Sequence, residues 1–219
     1  FLTAGCATYQ SKITESRESA QKADWNQAVK TIEPLATEDS KDQLAYLLDY
    51  GSLLQMAGRY QESNAVFARA DKMSEIKDYH SISKVTASLL LSEEMVQYKG
   101  DDYEKVLINA FSAINYLMLN QQDDALVEAR RLNEKLYKYK YEAKKDYEQN
   151  VFARYLSALI WEGDHKWYDA YIDYEKSWEI SPGFSYLKKD LIRAAMVAQR
   201  PDKVVFWKKK FPDVQIQPE

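Results

Sequence analysis

The residues LAYLLDYGSLLQMAGRYQESNAVFARADKMS, which run from Leu44 to Ser74, decide the fold of this chain. Leu47 and Leu54 belong to an apolar stripe whose members recur three and four residues apart, which is the spacing of one helix face. Gly58 then supplies a turn, and Phe67 lies within a second apolar stripe of the same spacing. The stretch therefore predicts two helices that pack against each other as a hairpin.

Three other stretches repeat this arrangement of apolar and small residues. Residues 158–182 match it closely, with a turn at Gly163-Asp164 and a helix end at Pro182. Residues 106–133 match it in both helices, whereas residues 25–35 match it only in the second helix, after a polar leading segment. The equivalent small residues of the four units are Ala28, Ser63, Ala125 and Ala170. Four units in register predict an array of helical repeats.

The order of these residues resembles the tetratricopeptide repeat (TPR), a helix hairpin with a usual period of 34 residues. In that family a small residue, here Gly51, lies where the two helices approach closely. The resemblance implies an all-α fold, a TPR-like solenoid of helix-turn-helix units that occupies residues 7–219 as a single domain. It also implies that the protein binds other proteins.

The steps between equivalent positions are 35, 62 and 45 residues, and the two longer steps depart from the usual period. The middle step leaves room for an added helix over Tyr79–Tyr98, where apolar residues recur at helical spacing. The last step predicts longer helices around Leu136–Val151.

The C-terminal residues predict a helical cap made of Phe184–Ala198 and a closing helix over Val204–Lys210. A terminal repeat needs such a cover because it would otherwise expose its core face. We expect Trp207 and Phe211 to cover that end, and the run Lys208-Lys209-Lys210 to be a solvated helix terminus.

The composition favours long helices and excludes several classes of protein. Only 6 Gly and 5 Pro occur in 219 residues, which is too few for the turns of a strand-rich fold. The net charge of −4 opposes general nucleic-acid binding, which uses a basic surface. The sequence contains no run of 18 apolar residues, so it predicts no membrane-spanning helix.

The first six residues, Phe-Leu-Thr-Ala-Gly-Cys, resemble the lipobox of bacterial lipoproteins, in which a cysteine after small residues is lipidated. The resemblance implies that residues 1–6 are a signal-peptide remnant with a lipobox and that Cys6 carries a lipid anchor. Because Ala7 follows in place of Asp, it also implies the periplasmic face of the outer membrane. Leu2 lies four residues before Cys6 and not the usual three, so a chance Gly-Cys pair is the alternative.

Four segments, 100–107, 128–131, 153–156 and 168–174, resemble a family of uncharacterised bacterial TPR lipoproteins. The resemblance covers residues 95–183 and only loosely the N-terminal third. It implies a location in the cell envelope and protein binding, and it implies no enzymatic activity.

The sequence offers no arrangement of residues that favours catalysis, and we expect no enzyme, no cofactor and no metal. No glycine-rich phosphate loop follows a strand, and no nucleophile elbow occurs. His165 lies beside Glu162 and Asp164 in a predicted turn, which could hold a metal ion, but a solvated polar turn is the simpler interpretation.

Residues of the first helices line the concave face of TPR proteins, so the resemblance also identifies candidates for a partner-binding groove. They are Ala45, Leu48, Ser52, Gln55 and Met56 in the second unit, Leu107, Ala110, Ile114, Leu117 and Met118 in the third, and Phe152, Tyr155 and Leu159 in the fourth. The third set is wholly apolar, as a binding surface would be. The alternative is that the added helix buries this set as ordinary core.

A second candidate surface is the segment Leu136–Tyr147, where tyrosines and lysines alternate. Its members with the clearest alternation are Tyr137, Lys138, Tyr139, Lys140 and Tyr141. Such a surface could bind glycans or peptidoglycan, whereas the alternative is an amphipathic helix whose lysines extend over tyrosine rings. The main hypothesis is a lipid-anchored adaptor for an envelope protein, and the rival is a wall-associated structural protein. The sequence indicates neither the partner nor the oligomeric state.

Overall fold

The computed structural model describes residues 8–84, 98–142 and 149–216, with the backbone alone described for residues 76–84. The lipobox prediction for Cys6 lies outside these residues, and so does most of the predicted added helix. Over the described residues the fold is all-α, as the sequence predicts.

Helices account for nearly all of the regular structure in these ranges. In chain order they are α1 (Tyr9–Lys12), α2 (Thr14–Gln21), α3 (Trp25–Thr37), α4 (Gln43–Met56), α5 (Tyr60–Lys84), α6 (Asp102–Met118), α7 (Gln122–Tyr137), α8 (Val151–Gly163), α9 (Trp167–Ile180), α10 (Leu187–Val197) and α11 (Pro201–Lys210). A π-helical turn, Lys138–Glu142, continues α7.

The helices form two compact units, Phe1–Leu119 and Asn120–Glu219. The boundary falls in the turn of the third predicted hairpin, so α6 belongs to unit 1 and α7 to unit 2. A single domain over residues 7–219 stays a prediction.

In unit 1, α2 packs on α3, α3 on α4, α4 on α5, and α5 on α6. Helices α4 and α5 approach each other closely at Gly51, where an added Cβ atom would lie 2.7 Å from a ring carbon of Phe67. This confirms the close packing predicted for Gly51. The apolar stripes on both sides are buried: Leu47 and Leu54 are fully inaccessible, and Phe67 is 1% exposed.

Helix α5 is longer than a repeat helix needs to be. It runs without a break from Tyr60 to Lys84, so the added helix predicted over Tyr79–Tyr98 begins within α5. Residues 85–97 lie outside the described part of the chain.

Five turns between helices use one residue with a left-handed backbone. These residues, with φ between 54° and 75°, are Ala23, Gly58, Asn120, His165 and Gln199. In four of the turns the next residue donates its N–H to a carbonyl five residues earlier at 2.9 Å, in the pairs Asp24–Ser19, Arg59–Leu54, Lys166–Trp161 and Arg200–Ala195. This is the Schellman closure of a helix end. The predicted cap helices α10 and α11 are therefore joined like the repeat hairpins.

In unit 2, α8 packs on α7 and α9, α9 packs on α10, and α10 packs on α11. The two cap helices lie within the ranges that the sequence predicts, apart from an earlier start of α11 at Pro201. Trp207 and Phe211 are 2% and 7% exposed, so they are buried as expected of residues that close a terminal repeat.

A buried polar network joins α7, α8 and α9. The carboxylate of Asp173 accepts hydrogen bonds from Asn133 Nδ2 at 2.9 Å, Ser157 Oγ at 2.7 Å and Trp161 Nε1 at 3.1 Å. Arg154 Nη1 lies 3.1 Å from its other oxygen as an ion pair. Asp173 is only 4% exposed and Arg154 6%, so the charges compensate each other away from water.

Candidate functional site

Nine of the ten predicted groove residues of unit 1 are at least partly accessible on α4 and α6. Met56 and Met118, at equivalent repeat positions, are each 56% exposed. Seven more residues are partly buried, namely Ala45, Leu48, Ser52, Gln55, Leu107, Ile114 and Leu117. Ala110 is completely buried and offers no surface to a partner.

Gln55 has a structural role within this predicted set. Its Nε2 donates to Asn115 Oδ1 at 2.8 Å and to the carbonyl oxygen of Phe111 at 3.0 Å, which ties α4 to α6. Asn115 Nδ2 in turn donates to Ser63 Oγ at 2.8 Å, and Ser63 Oγ donates to the carbonyl oxygen of Gly51 at 2.7 Å. The chain of bonds fixes the spacing of α4 and α6. The sequence does not predict this role of Asn115, because its side-chain partners are 51 to 60 residues away.

Apart from Ala45 and Ser52, the remaining accessible residues of the predicted groove on α4 and α6 are large and apolar. We call Leu48, Met56, Leu107, Ile114, Leu117 and Met118 the α4/α6 face. Partly exposed aliphatic side chains on a rigid support are the usual features of a protein-binding surface. The two exposed methionines add side chains that adapt to ligands of different shape.

The predicted residues of unit 2 form a smaller aromatic face on α8. Phe152 and Leu159 are 43% and 41% exposed. Tyr155 is partly buried, and its hydroxyl donates to Asp190 Oδ2 at 2.8 Å. Burial raises the pKa of the Asp190 carboxyl, and it also raises the pKa of the Tyr155 hydroxyl. The Tyr155 ring is thus held in place, while Phe152 and Leu159 are available to a ligand.

The tyrosine-lysine segment adopts a helix only as far as Tyr137 and then becomes the π-helical turn. Tyr137 and Tyr141 are each 57% exposed, with ring centroids 4.7 Å apart. Lys140 Nζ lies 5.7 Å from the Tyr141 ring, which agrees with lysines extending over tyrosine rings. Lys138 is exposed and Tyr139 is partly buried. Residues 143–148 of the predicted helix lie outside the described range.

These tyrosines border a cavity of about 610 Å³ between α7 and α9. Arg154 and Asp173 lie in its wall, together with side chains of both charges. Arg154 Nε is buried and makes no hydrogen bond. Because the wall carries charges of both signs, it does not select glycans over other classes of ligand.

His165 takes part in a turn and in an aromatic contact. Its backbone is left-handed, and its ring lies 5.5 Å from that of Trp167. Within the described residues no group of three or more His, Cys, Asp or Glu side chains could hold a metal ion. In that same part of the chain, no helix combines the length and apolar character needed to cross a membrane. The absence of catalysis and of a cofactor stays a prediction.

The fold is similar to that of MamA, a TPR-like protein. A crystal structure of MamA matches with a TM-score of 0.58 at 15% identity, over 89% of this chain and 91% of that one. MamA 41-end from Desulfovibrio magneticus RS-1 matches with a TM-score of 0.57 at 15% identity, over 94% of both chains. At these identities the likeness shows the TPR-like fold alone. No protein-family model and no curated protein matches the sequence.

Proposed function

We propose that the protein is a non-catalytic interaction scaffold that binds a protein partner through the α4/α6 face. The observation that carries the proposal is the exposure of Met56 and Met118 beside partly buried aliphatic residues, on helices that a buried hydrogen-bond chain holds together. Burying such a surface against a partner is favourable at about 25 cal/mol per Å² of apolar area. A rigid face also loses little conformational freedom on binding.

The chemistry of the face indicates the kind of partner segment. Leu48, Leu107 and Leu117 are aliphatic, and each is partly accessible. An amphipathic helix or an extended segment with spaced apolar side chains would complement it. We expect the face to bind apolar anchors and its surroundings to supply polar contacts.

We further propose that a lipid on Cys6 holds the protein at the periplasmic face of the bacterial outer membrane. The lipobox resemblance of residues 1–6 supports this location. A single acyl chain anchors only weakly, whereas the multiple chains of a mature lipoprotein hold a protein firmly. Expression of the chain with a lipoprotein leader should place it in the outer-membrane fraction, and Cys6→Ala should release it. Equal membrane association of the two proteins would exclude the anchor.

The binding proposal can be tested by photo-crosslinking in living cells. A photoreactive amino acid at position 114 or 118 should give one dominant adduct, identified by mass spectrometry. The control is the same amino acid at position 68, an exposed alanine on α5 outside the α4/α6 face. Adducts of equal yield at positions 68 and 118, or none at 114 and 118 in a normally expressed protein, would refute the proposal.

A quantitative test uses the partner so identified. Met118→Asp should weaken its binding at least about tenfold, because a charge would be desolvated in an apolar interface. Ala68→Asp is the matched control and should bind as the unsubstituted protein does. Circular dichroism of both variants would establish that each retains its helices.

A further inference from the structure

Three aromatic rings at the C-terminal end of unit 2 surround the ammonium group of Lys210. Its Nζ lies 5.1 Å from the ring centroid of Trp178, 5.5 Å from that of Phe206 and 5.5 Å from that of Trp207. All three distances lie within the range of about 6 Å for a cation–π interaction. One ammonium group therefore contacts three rings. We call Trp178, Phe206 and Trp207 the aromatic box.

The rings of the box meet as adjacent walls. Trp207 lies at 72° to Trp178 and at 79° to Phe206, with centroids 5.9 Å and 4.8 Å away. Phe211 packs against two of these rings, with its centroid 4.9 Å from that of Trp178 and 5.6 Å from that of Trp207. Trp207 Nε1 also donates to the hydroxyl of Tyr171 at 3.1 Å. The box is thus held in shape by contacts outside it.

A cavity of about 560 Å³ adjoins the box, and carboxylates lie at its edge. Glu175 is paired with Lys203 at 2.5 Å, and Asp202 with Arg200 at 3.5 Å. Glu179 has no such partner in the described part of the chain. Glu179 lines the same cavity as the three rings, and its negative charge favours a cation there.

Lys210 faces the three rings from an exposed position at the end of α11. An ammonium has three N–H donors, and the faces of aromatic rings are weaker acceptors for them than water is. Its position at the C-terminal end of α11, with an exposed side chain, allows it to leave without disturbing the core. A quaternary ammonium carries the same charge and has no N–H donors, so it fits a box made of ring faces better.

We infer that the aromatic box is a binding site for a trimethylammonium group and that Lys210 is an internal competitor for it. This site is separate from the α4/α6 face and does not depend on the proposed function. Lys210 lowers the apparent affinity for an external cation, because only molecules in which Lys210 has left the box can bind it. The trimethylammonium group could belong to a soluble compound or to a lipid headgroup.

The first test compares choline with 3,3-dimethyl-1-butanol, which has the same shape and no charge. Titrations followed by tryptophan fluorescence and by calorimetry should show saturable choline binding, at least about tenfold tighter than that of the neutral alcohol. Equal affinity for the two compounds would overturn the inference.

Variants of the box test the competitor directly. Lys210→Ala should strengthen choline binding by about three- to tenfold, whereas Lys209→Ala, a change of a neighbouring exposed lysine, should leave it unchanged. Phe206→Leu keeps an apolar side chain and removes a ring, so it should weaken binding at least about threefold. Val205→Ala is the matched control on the same helix, with the parent residue 69% exposed.

Vesicles separate the two sources of the group. Sedimentation with phosphatidylcholine vesicles but not phosphatidylglycerol vesicles, lost in Phe206→Leu, would assign a lipid headgroup. Binding of free choline without vesicle binding would assign a soluble compound, and either result supports the site. Failure of Lys210→Ala to bind choline or phosphatidylcholine would overturn it, whatever the outcome of crosslinking at the α4/α6 face.

Discussion

Replacement of Asp173 by asparagine tests whether the buried polar network stabilises unit 2. The substitution keeps the shape of the side chain and removes its charge, which leaves the Arg154 guanidinium buried without a counterion. Three further donors, from Asn133, Ser157 and Trp161, also point at this group. An asparagine amide nitrogen cannot accept them.

Removing one partner of a buried ion pair costs about 3–5 kcal/mol. With a urea dependence of about 2 kcal/mol per M, the unfolding midpoint should fall by about 1.5–2.5 M. Four of the five tryptophans, at positions 161, 167, 178 and 207, belong to unit 2, so tryptophan fluorescence reports mainly on this unit. Urea titrations followed by fluorescence therefore measure the relevant transition.

A double-mutant cycle with Arg154→Met separates the ion pair from the other contacts. We expect the double variant to be less destabilised than the sum of the single variants by more than about 1 kcal/mol. Arg131→Met is the matched control, because Arg131 is 58% exposed and its ion pair with Glu128 contributes less than about 1 kcal/mol. A loss below 1 kcal/mol for Asp173→Asn, or additive single changes, would refute the reasoning.

Three further substitutions test other parts of the fold by urea denaturation. Gly51→Leu should destabilise unit 1 by at least about 2 kcal/mol, because a Cβ atom already overlaps Phe67; a stable variant would contradict the close helix approach. Burial raises the pKa of the Asp49 carboxyl above its unfolded value, so its protonated form favours folding at low pH and this contribution is lost as pH rises. The free energy of unfolding of Asp49→Asn should therefore rise relative to that of the parent from pH 4 to pH 7. A fall in this relative stability would show that folding lowers the pKa of Asp49. Trp207→Ala should cost about 3–5 kcal/mol and Val205→Ala less than about 0.5, since one residue is buried and the other 69% exposed; similar losses would refute the cap.

Local apolar spacing was sufficient to predict the helices and their buried faces. Leu47, Gly51 and Leu54 are buried because residues three and four apart share one helix face, and this relation depends only on nearby sequence. The turn at Gly163-Asp164 was also predicted, since α8 ends at Gly163 and Asp164 caps it. Only the residue with the left-handed backbone, His165, was not identified. A residue with a Cβ atom seldom adopts a left-handed backbone, so in a sequence glycine is the better indicator of such a turn residue.

The polar networks could not be predicted because they connect residues far apart in the sequence. Arg154 and Asp173 are 19 residues apart, and Gln55 and Asn115 are 60 apart. Each pair requires particular rotamers on different helices, which helical periodicity does not specify. Gln55 was consequently predicted as a groove residue, although in the structure it links α4 to α6.

The aromatic box could not be predicted in full either, because it combines residues from two helices. Lys210 lies four residues after Phe206 and three after Trp207, so its proximity to both rings on α11 could have been recognised from the sequence. Trp178 comes from α9, and only the packing of unit 2 brings its ring to the same ammonium group. Lys210 is exposed, as expected of a solvated helix end, and its ammonium group also faces three rings. An external trimethylammonium group replaces Lys210 if it binds the box with a more favourable free energy. The choline affinities of Lys210→Ala and Lys209→Ala measure how strongly Lys210 competes.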